Sequence, residues 1–309
     1  MNTVIYHNAD YDGIFCREIA RKFLPEEDTQ FIGWNFGDPK VSKPAEGQIY
    51  IMDLSPDCLE GIDCDRNCGE FHDAECPGLS GPCPVTVSER IIWIDHHKTS
   101  IEKFPTDIPG CRIDGVAACR LAWQWFAIGE PFPPKAWFVE RKVSEPLAVR
   151  LAGEYDVWDH RGDGDLELQC GIRATLECAG ADFWPLLLSD HGTSYVSELI
   201  ERGKWAMNYS RTVDAGNMKA SFLTKWEGLT FLCLNGRGNS LTFASLDEPE
   251  TGHDALLMFY LNQHRMWVVS LYHARHRTDL DLSQIATKHG GGGHRGACGF
   301  TCDKLPFIS

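Results

Sequence analysis

The sequence has little positive charge and no long hydrophobic run. Its 309 residues include 29 Lys or Arg against 44 Asp or Glu, which gives a formal net charge of −15. A protein that holds long duplex nucleic acid through many phosphate contacts needs a basic surface, so this composition argues against that class of partner. No apolar stretch approaches the length that crosses a bilayer, which argues against a membrane protein. Short anionic substrates remain compatible if metal ions supply positive charge at the site.

Common targeting and nucleotide-binding signals are also missing. The chain starts MNTVIYHNADYDG, without the basic segment and apolar core of a signal peptide. There is no Walker motif and no GxGxxG after the first predicted strand, which argues against ATP use and a dinucleotide cofactor. Thirteen cysteines without a signal peptide indicate a reducing, cytoplasmic setting, in which most are buried thiols or metal ligands. The length is sufficient for two domains with sizeable cores.

Three predicted strands end in side chains that can bind a metal ion or transfer a proton. The strands are Val4–His7, Gln48–Met52 and Ile91–Ile94. The groups at their ends are His7, Asp10 and Asp12 for the first strand, Asp53 for the second, and Asp95, His96 and His97 for the third. Open α/β sheets bind ligands beyond the carboxyl ends of their strands, so we expect these groups to meet. For each strand alone, a helix cap, a turn residue or a surface histidine is the alternative.

Helical spacing follows the first and third of these strands. Phe15, Ile19 and Phe23 fall on one face of a predicted helix that Pro25 closes. After DHH, the stretch KTSIEKFPTDIPGCRIDG is interpreted as a loop that crosses the site, and Val116–Ile128 as the next helix. The first region therefore alternates strands and helices, which is typical of a parallel α/β sheet.

A fourth polar cluster follows the apolar segment Leu147–Ala152. The sequence GEYDVWDH offers four groups, Glu154, Asp156, Asp159 and His160. Most acidic residues in such a stretch are solvated loop charges, and we expect about one of them to have a functional role.

The C-terminal region has its own elements. A helical pattern over Thr193–Thr224 predicts a connecting helix, with a domain boundary near Ser221. Strands are predicted at Thr230–Leu234 and Met266–His273, and a helix at Leu282–Lys288.

A run of glycines follows that last helix, in the sequence GGGGHRGACGF. Gly290 is expected to cap the helix, and Gly291, Gly292 and Gly293 to form a loop before His294 and Arg295. Glycines allow positive φ angles and close approach of backbone N–H groups to an anion, which favours a phosphate or nucleotide cradle. A plain flexible loop is the alternative.

The segment 57–89 is rich in Cys, Gly, Pro and acidic residues and reads as an insertion between two strands. One interpretation is a structural zinc site at Cys64, Cys68, His72 and Cys76. The segment lacks paired CxxC knuckles, so unliganded thiols in an irregular lobe and disulfides are the alternatives.

The strand-end groups form a set of imidazoles and carboxylates without cysteine. Oxygen and nitrogen ligands of this kind suit Mn²⁺ or Mg²⁺, and also Co²⁺ or Fe²⁺, rather than a thiolate-binding ion. Together with an acid near Asp156, these groups outnumber the protein ligands that one ion normally binds. We therefore expect two ions with Asp53 between them. Two ions about 3.5–4 Å apart lower the pKa of a shared water and clamp an in-line displacement at phosphorus. Phosphoester hydrolysis is therefore the leading reaction class.

Four ordered motifs, HNADYDG, IMD, DHHKTS and GGGGHRGACGF, resemble those of the DHH phosphoesterase superfamily, in the subfamily that carries a DHHA1 domain. The resemblance implies an α/β protein with an N-terminal, doubly wound, mainly parallel sheet, a smaller C-terminal α/β domain and an active site in the cleft between them. It implies a DHH domain at 1–192, a connecting segment at 193–225 and a DHHA1 domain at 226–309. The Cys-rich segment is the part that it does not explain.

The resemblance also implies roles for individual residues. One Mn²⁺ would be bound by His7, Asp10 and Asp53, and the other by Asp12, Asp53, His96 and Asp156, with Asp159 as the alternative to Asp156. Asp95 would orient ligands, and His97 would face the substrate phosphate. Gly291, Gly292, Gly293, His294 and Arg295 would hold the far end of the substrate.

The implied activity is hydrolysis of short oligoribonucleotides, pAp-type nucleotides or dinucleotides by a hydroxide between two Mn²⁺ ions. The alternatives are an inorganic pyrophosphatase and a non-catalytic nucleotide-binding module. A homodimer is one alternative for the assembly.

Overall fold

The computed structural model describes residues 1–62, 90–104, 107–189, 191–238, 240–243, 246–247 and 249–308. The chain divides into two compact units, Met1–Ala206 and Met207–Ser309. The zinc candidates Cys64, Cys68, His72 and Cys76 lie outside the described residues. The nine cysteines within the described ranges are free thiols. In the described part of the chain, none of the helices has the length and apolar character needed to cross a bilayer.

The first unit is built on a five-stranded parallel sheet. Its strands are β1 (Asn2–His7), β2 (Thr29–Trp34), β3 (Ile49–Met52), β4 (Ile91–Asp95) and β5 (Gly110–Arg112). They lie in the order β2-β1-β3-β4-β5, so the chain changes direction across the sheet between β1 and β3. Ligands of doubly wound sheets bind at such a switch point, at the carboxyl ends of the strands. The predicted α/β class and parallel sheet are confirmed.

Both faces of this sheet are covered by a hydrophobic core. Successive side chains of each strand point to opposite faces and so enter different cores. Val4 and Met52 pack in a core with Phe15 of the first helix, whereas Ile5 and Trp93 belong to the core on the other face. Continuous apolar strands are what a parallel sheet with two covered faces requires. In β1, β3 and β4 the charged and imidazole side chains are confined to the strand ends.

Eight helices of the described residues accompany this sheet or follow it. They are α1 (Tyr11–Phe23), α2 (Lys98–Lys103), α3 (Ala118–Trp123), α4 (Lys135–Val139), α5 (Leu147–Asp156), α6 (Asp165–Thr175), α7 (Phe183–Leu187) and α8 (Thr193–Asn217). A π-helical turn, Gln124–Ile128, extends α3 over the rest of the predicted second helix. The loop interpretation of 98–115 is wrong in part, because α2 and β5 lie there. β5 has three residues, too few for an alternating pattern to be seen.

The second unit contains a mixed six-stranded sheet. Its strands are β6 (Phe222–Trp226), β7 (Leu229–Asn235), β8 (Ala255–Leu261), β9 (Trp267–His273), β10 (Gly292–His294) and β11 (Ala297–Cys302). The order is β10-β11-β9-β8-β7-β6, with β7 and β8 parallel and the other neighbours antiparallel. One helix, α9 (Ser283–Lys288), packs against β10 and β11.

The helical prediction for Thr193–Thr224 holds to Asn217 and is wrong from Phe222, where β6 begins. β6 pairs with β7 through a two-residue turn in which Glu227 and Gly228 have φ angles of 49° and 79°. Such a turn, with positive φ at both residues, fits the twist of a β-hairpin. Cross-strand pairing therefore overrides the helical spacing here.

The second half of the glycine run is a strand rather than a loop. Gly290 has a φ of 80° and ends α9, as expected. Gly292–His294 then forms the edge strand β10, antiparallel to β11. An added Cβ at Gly291 would lie 2.0 Å from the carbonyl oxygen of Gly299, so the close approach of backbone explains that glycine.

The contact between α6 and α8 provides a test of the packing. A Cβ at Gly203 would lie 1.7 Å from the carbonyl oxygen of Glu167, whereas one at Gly216, on the same helix, would meet nothing within 4 Å. We expect Gly203→Ala to lower the free energy of unfolding by about 1–3 kcal/mol or more, because the helices must separate. Gly216→Ala should raise it by up to about 1 kcal/mol, since alanine favours a helix. Chemical denaturation followed by circular dichroism measures both, and equal effects would contradict this packing.

Candidate metal centre

Side chains from four segments converge at the carboxyl edge of the parallel sheet. Three groups at this edge have one candidate ligand atom per residue within 4.8 Å of one another. His7, Asp10 and Asp53 form the first and Asp12, His96 and Asp156 the second, and a third group, Asp53, His96 and His97, overlaps both. The structure thus brings together all six residues that the resemblance assigns to metal, and it places them in two sets of three.

Asp53 lies between the two groups. Its Oδ2 is 3.4 Å from His7 Nδ1, and its Oδ1 is 3.4 Å from His96 Nε2. The residue directly follows β3 and has a φ of 57°, which is uncommon outside glycine and is tolerated best by Asn and Asp. The turn is fixed by the backbone N–H of Asp53, which donates to the carbonyl of Ile94 at 2.9 Å. Each carboxylate oxygen is consequently directed at a different imidazole.

The first group is held by the start of α1. Asp10 is the N-cap of α1, where its Oδ1 accepts the backbone N–H of Gly13 at 3.1 Å. Its Oδ2 lies 2.9 Å from His7 Nδ1. A Cβ at Gly13 would lie 1.9 Å from the carbonyl oxygen of His7, so glycine at this position allows the helix to begin directly against the strand end.

The second group is buried more deeply. His96 Nε2 lies 3.3 Å from Asp156 Oδ2 and 3.7 Å from Asp12 Oδ2. Asp12 also accepts backbone N–H groups of Ala118 and Cys119, both at 2.8 Å, and so caps the N-terminus of α3. Sequence reasoning weighed Asp12 as a cap of its own helix. That cap is Asp10, and Asp12 caps a helix more than a hundred residues away.

Asp95 supports both histidines that follow it. Its Oδ1 accepts the backbone N–H of His96 at 2.8 Å and of His97 at 3.2 Å, and lies 2.7 Å from His97 Nδ1. A carboxylate can only accept in these contacts, so His97 carries its proton on Nδ1. Asp95 therefore sets the orientation of the His97 ring, whose Nδ1 lies 3.8 Å from Asp53 Oδ1.

The carboxylates and imidazoles of the two groups shift one another's pKa values. Burial, followed by the charge of Asp53, raises the pKa of Asp12 to about 7. Burial and the charge of Asp12 raise the pKa of Asp156 well above its ordinary value. Burial lowers the pKa of His7 and His96, but hydrogen bonds and charges from the neighbouring aspartates outweigh it and raise both values to about 10. Protons thus offset the negative charge in the absence of another cation.

Divalent cations fit this arrangement. Three buried polar atoms of the two groups, His7 Nδ1, Asp53 Oδ1 and Asp156 Oδ2, face charged neighbours but make no hydrogen bond of good geometry. Buried polar atoms are rarely left unpaired, and a carboxylate left without compensation is costly. Hard oxygen and imidazole ligands suit Mn²⁺ or Mg²⁺, and such an ion would replace the protons as the compensating charge.

Only one of the four residues in the fourth polar cluster joins the candidate centre. Asp156, at the end of α5, joins the second group, whereas Asp159 pairs with Arg161 near the surface. Glu154 is buried and accepts two hydrogen bonds from Arg141, at 2.7 and 2.8 Å. Its role is a structural ion pair. His160 hydrogen-bonds Asp165 through Nδ1, outside the two groups.

The glycine hairpin lies in the second unit. Arg295 donates from Nε to the carbonyl of Leu280 at 2.9 Å and from Nη2 to the carbonyl of Asp279. These bonds tie the hairpin to the loop before α9. Arg295 therefore anchors the segment that presents His294, which is exposed at the end of β10.

A further carboxylate and imidazole group, Asp247, His253 and His276, lies in the second unit. Asp247 already accepts the backbone N–H of Arg275 with both oxygens, at 3.3 and 3.2 Å, and lies 3.1 Å from His253 Nε2. These contacts tie the turn after β9 to the segment before β8.

Sequence reasoning missed one neighbour of the first group. The ring of Phe36 contacts the His7 ring edge to face, with 5.8 Å between centroids, although 67% of the residue is exposed. The signal available in the sequence was the turn-like NFGD after a short β-prone run.

The choice between Asp156 and Asp159 can be tested directly. We expect Asp156→Asn to weaken Mn²⁺ binding by at least about tenfold, because it removes a charged oxygen from the second group. Asp159→Asn makes the same chemical change at an ion pair with Arg161 and should leave Mn²⁺ affinity unchanged. Titration with Mn²⁺, followed by the electron paramagnetic resonance of the free ion, measures both. Equal affinities in the two variants would show that Asp156 has no role as a ligand.

No protein-family model and no curated protein matches the chain. Among solved structures, it is similar to an uncharacterised protein from Helicobacter pylori G27, at 17% identity over 100% of this chain and 94% of that one, with a TM-score of 0.36. It is similar to a pGpG-specific phosphodiesterase from Vibrio cholerae, at 13% identity over 97% and 92% of the two chains, with a TM-score of 0.46. It is also similar to the exonuclease RecJ bound to manganese, at 12% identity over 98% and 86%, with a TM-score of 0.44.

The chain has a parallel sheet in the first unit and a separate mixed sheet in the second. The first three motifs lie at the carboxyl ends of β1, β3 and β4 of the parallel sheet, and the fourth lies in the second, mixed sheet. Sequence motifs and fold thus agree with the resemblance to the DHH phosphoesterase superfamily.

Proposed function

We propose that the protein is a metal-dependent phosphoesterase that hydrolyses short oligonucleotides or small nucleotides at this centre. The observation that carries the proposal is the pair of three-residue groups joined by Asp53, whose two carboxylate oxygens face different imidazoles. Two Mn²⁺ ions bound there, with Mg²⁺ or Co²⁺ as alternatives, would supply positive charge and activate a water for in-line attack at phosphorus.

The residues of the chain have separate tasks in this proposal. His7, Asp10 and Asp53 would hold one ion, and Asp12, His96 and Asp156 the other, with Asp53 shared. Asp95 would keep the proton of His97 on Nδ1 and so direct the opposite ring edge toward the substrate. Burial lowers the pKa of His97, but the hydrogen bond with Asp95 outweighs it and raises that pKa, which favours a protonated ring. A protonated His97 would stabilise negative charge on the phosphate or donate to the leaving oxygen.

The net charge favours short substrates. The net charge of −15 leaves no excess of cations for a long phosphate backbone. We propose that the glycine hairpin also binds the substrate, through the edge of β10, with Gly291, Gly292, Gly293 and His294 in the contact. Arg295 would act by anchoring this hairpin to the carbonyls of Leu280 and Asp279.

The function is tested with a substrate panel. We expect Mn²⁺-dependent release of nucleotides from 2- to 10-residue RNA and DNA, pAp or cyclic dinucleotides, and Asp53→Asn should reduce the best of these activities to background. Asparagine tolerates the positive φ at this position, so the fold should persist, as circular dichroism can verify. Turnover of the preferred substrate by Asp53→Asn at the wild-type rate would refute the proposed centre. Hydrolysis of inorganic pyrophosphate alone would instead identify a pyrophosphatase.

The two adjacent histidines should differ in their effects. We expect His97→Ala to lower kcat by about 10²–10⁴-fold with little change in Mn²⁺ affinity, because the residue acts on the substrate. His96→Ala should lower both, because Nε2 of His96 lies among the carboxylates of the second group. Steady-state kinetics and Mn²⁺ titration of the two variants separate these effects. If both variants lost Mn²⁺ to the same extent, the proposed division of roles would be wrong.

A further inference from the structure

We propose that Phe36 is a stacking platform for a nucleobase of the substrate. The inference rests on the proposed function and adds the substrate class: phosphoesters that carry a base next to the reacting phosphate. An inorganic phosphate compound has no group that would use this surface.

The position of the ring beside the centre is the first argument. The Phe36 ring contacts the ring of His7, a residue of the first group, at 5.8 Å and an interplanar angle of 67°. Within the described part of the chain, the ring also contacts Trp34, at 5.6 Å and 69°. Two edge-to-face contacts fix the ring and still leave 67% of the residue exposed. A planar apolar surface is therefore open to solvent directly beside a candidate metal ligand.

The loop that carries Phe36 is closed by hydrogen bonds. The backbone N–H of Asn35 donates to Asp38 Oδ2 at 2.8 Å, and the backbone N–H of Asp38 donates to the carbonyl of Asn35 at 3.0 Å. Gly37, the third residue of this turn, has a φ of 99° and allows it to form. A binding surface on such a fixed turn loses little conformational entropy when a ligand stacks on it.

The turn is also fixed to the sheet. Trp34 ends β2 opposite His7 in the parallel register with β1, and its Nε1–H donates to the carbonyl of Pro39 at 3.0 Å. The indole thus spans the base of the turn. The distance between the Phe36 ring and the first group is set by neighbouring strands rather than by a free loop.

Core packing does not account for this phenylalanine. Trp34 belongs to a hydrophobic core of the first unit, whereas Phe36, two residues later, lies at the surface. The second position of a turn accepts most residue types, so the turn does not require an aromatic ring. Isolated exposed apolar residues are common on proteins, but this one also contacts a candidate ligand of a phosphoesterase centre. A base that stacks there would place its own phosphate near His7.

Stacking predicts a particular form of specificity. Every base has a π-face, so an aromatic platform provides affinity without reading base identity, and larger stacking surfaces bind more strongly. We therefore expect tolerance among bases, with purines preferred to pyrimidines, and weak binding of substrates without a base.

The test compares Phe36→Leu and Phe36→Trp on two substrates, pApA and its analogue without bases, each with Mn²⁺. We expect Phe36→Leu to raise KM for pApA by roughly 5- to 150-fold, the range for loss of one stacked base, and to change kcat little. Phe36→Trp should restore the wild-type KM. The abasic analogue should show a high KM that Phe36→Leu does not change.

Tyr209→Leu is the matched control, since Tyr209 is 74% exposed on α8 and should have no effect on KM for pApA. Equal KM values for wild type and Phe36→Leu, or an equal rise on the abasic analogue, would overturn the inference while the phosphoesterase remains. Equilibrium binding of a 2-aminopurine dinucleotide in the presence of Ca²⁺ gives a readout independent of turnover. If the wild type binds this probe but cleaves no substrate, only the proposed function is wrong. The stacking inference then still requires Phe36→Leu to bind the probe more weakly than the wild type does. Wild type that neither binds nor cleaves overturns both.

Discussion

The concentration of carboxylates at one edge of the parallel sheet is the constraint on which the rest of the first unit depends. The buried Asp12 and Asp53 and the partly buried Asp156 all lie within 3.7 Å of His96 Nε2, and such a cluster is stable only if positive charge is present. In the absence of a metal ion, the raised pKa values of His7 and His96 let protonated imidazole rings supply part of it. Hydrophobic cores cover both faces of the sheet, so these groups can meet only at the strand ends.

The strand order of the sheet brings these groups close together. β1 and β3 are neighbours at the switch point, so the residues that follow them are adjacent although they are some forty positions apart in the chain. Asp53 then reaches both groups because its backbone takes a left-handed conformation at the end of β3. Asp95 orients two histidines at once through one oxygen. A small number of backbone features thus positions a large number of functional atoms.

Five of the six candidate ligands were predictable from sequence because they follow apolar strand segments, and the α/β class followed from the same alternation. Asp156 instead ends the helix α5, and the sequence left Asp159 as its alternative. Other features depend on contacts between distant residues and leave no local trace. Asp12 caps α3 across more than a hundred residues, and β6 is a strand only because β7 pairs with it. The edge strand β10 has a glycine composition that favours no strand, and it exists through pairing with β11. Phe36 has no periodic pattern around it that would indicate its place beside His7.

The cap that Asp12 provides has a consequence for the evolution of this fold. One carboxylate both faces His96 and satisfies the first N–H groups of α3, so a chain that lost its activity would still be under selection to keep it. Removal of such a cap typically costs about 1 kcal/mol of stability. Retention of Asp12 in a divergent descendant would therefore not show that the descendant is an enzyme. Asp156 has no comparable bond to the backbone among the described contacts, so its loss would be the earlier mark of a centre that had fallen out of use.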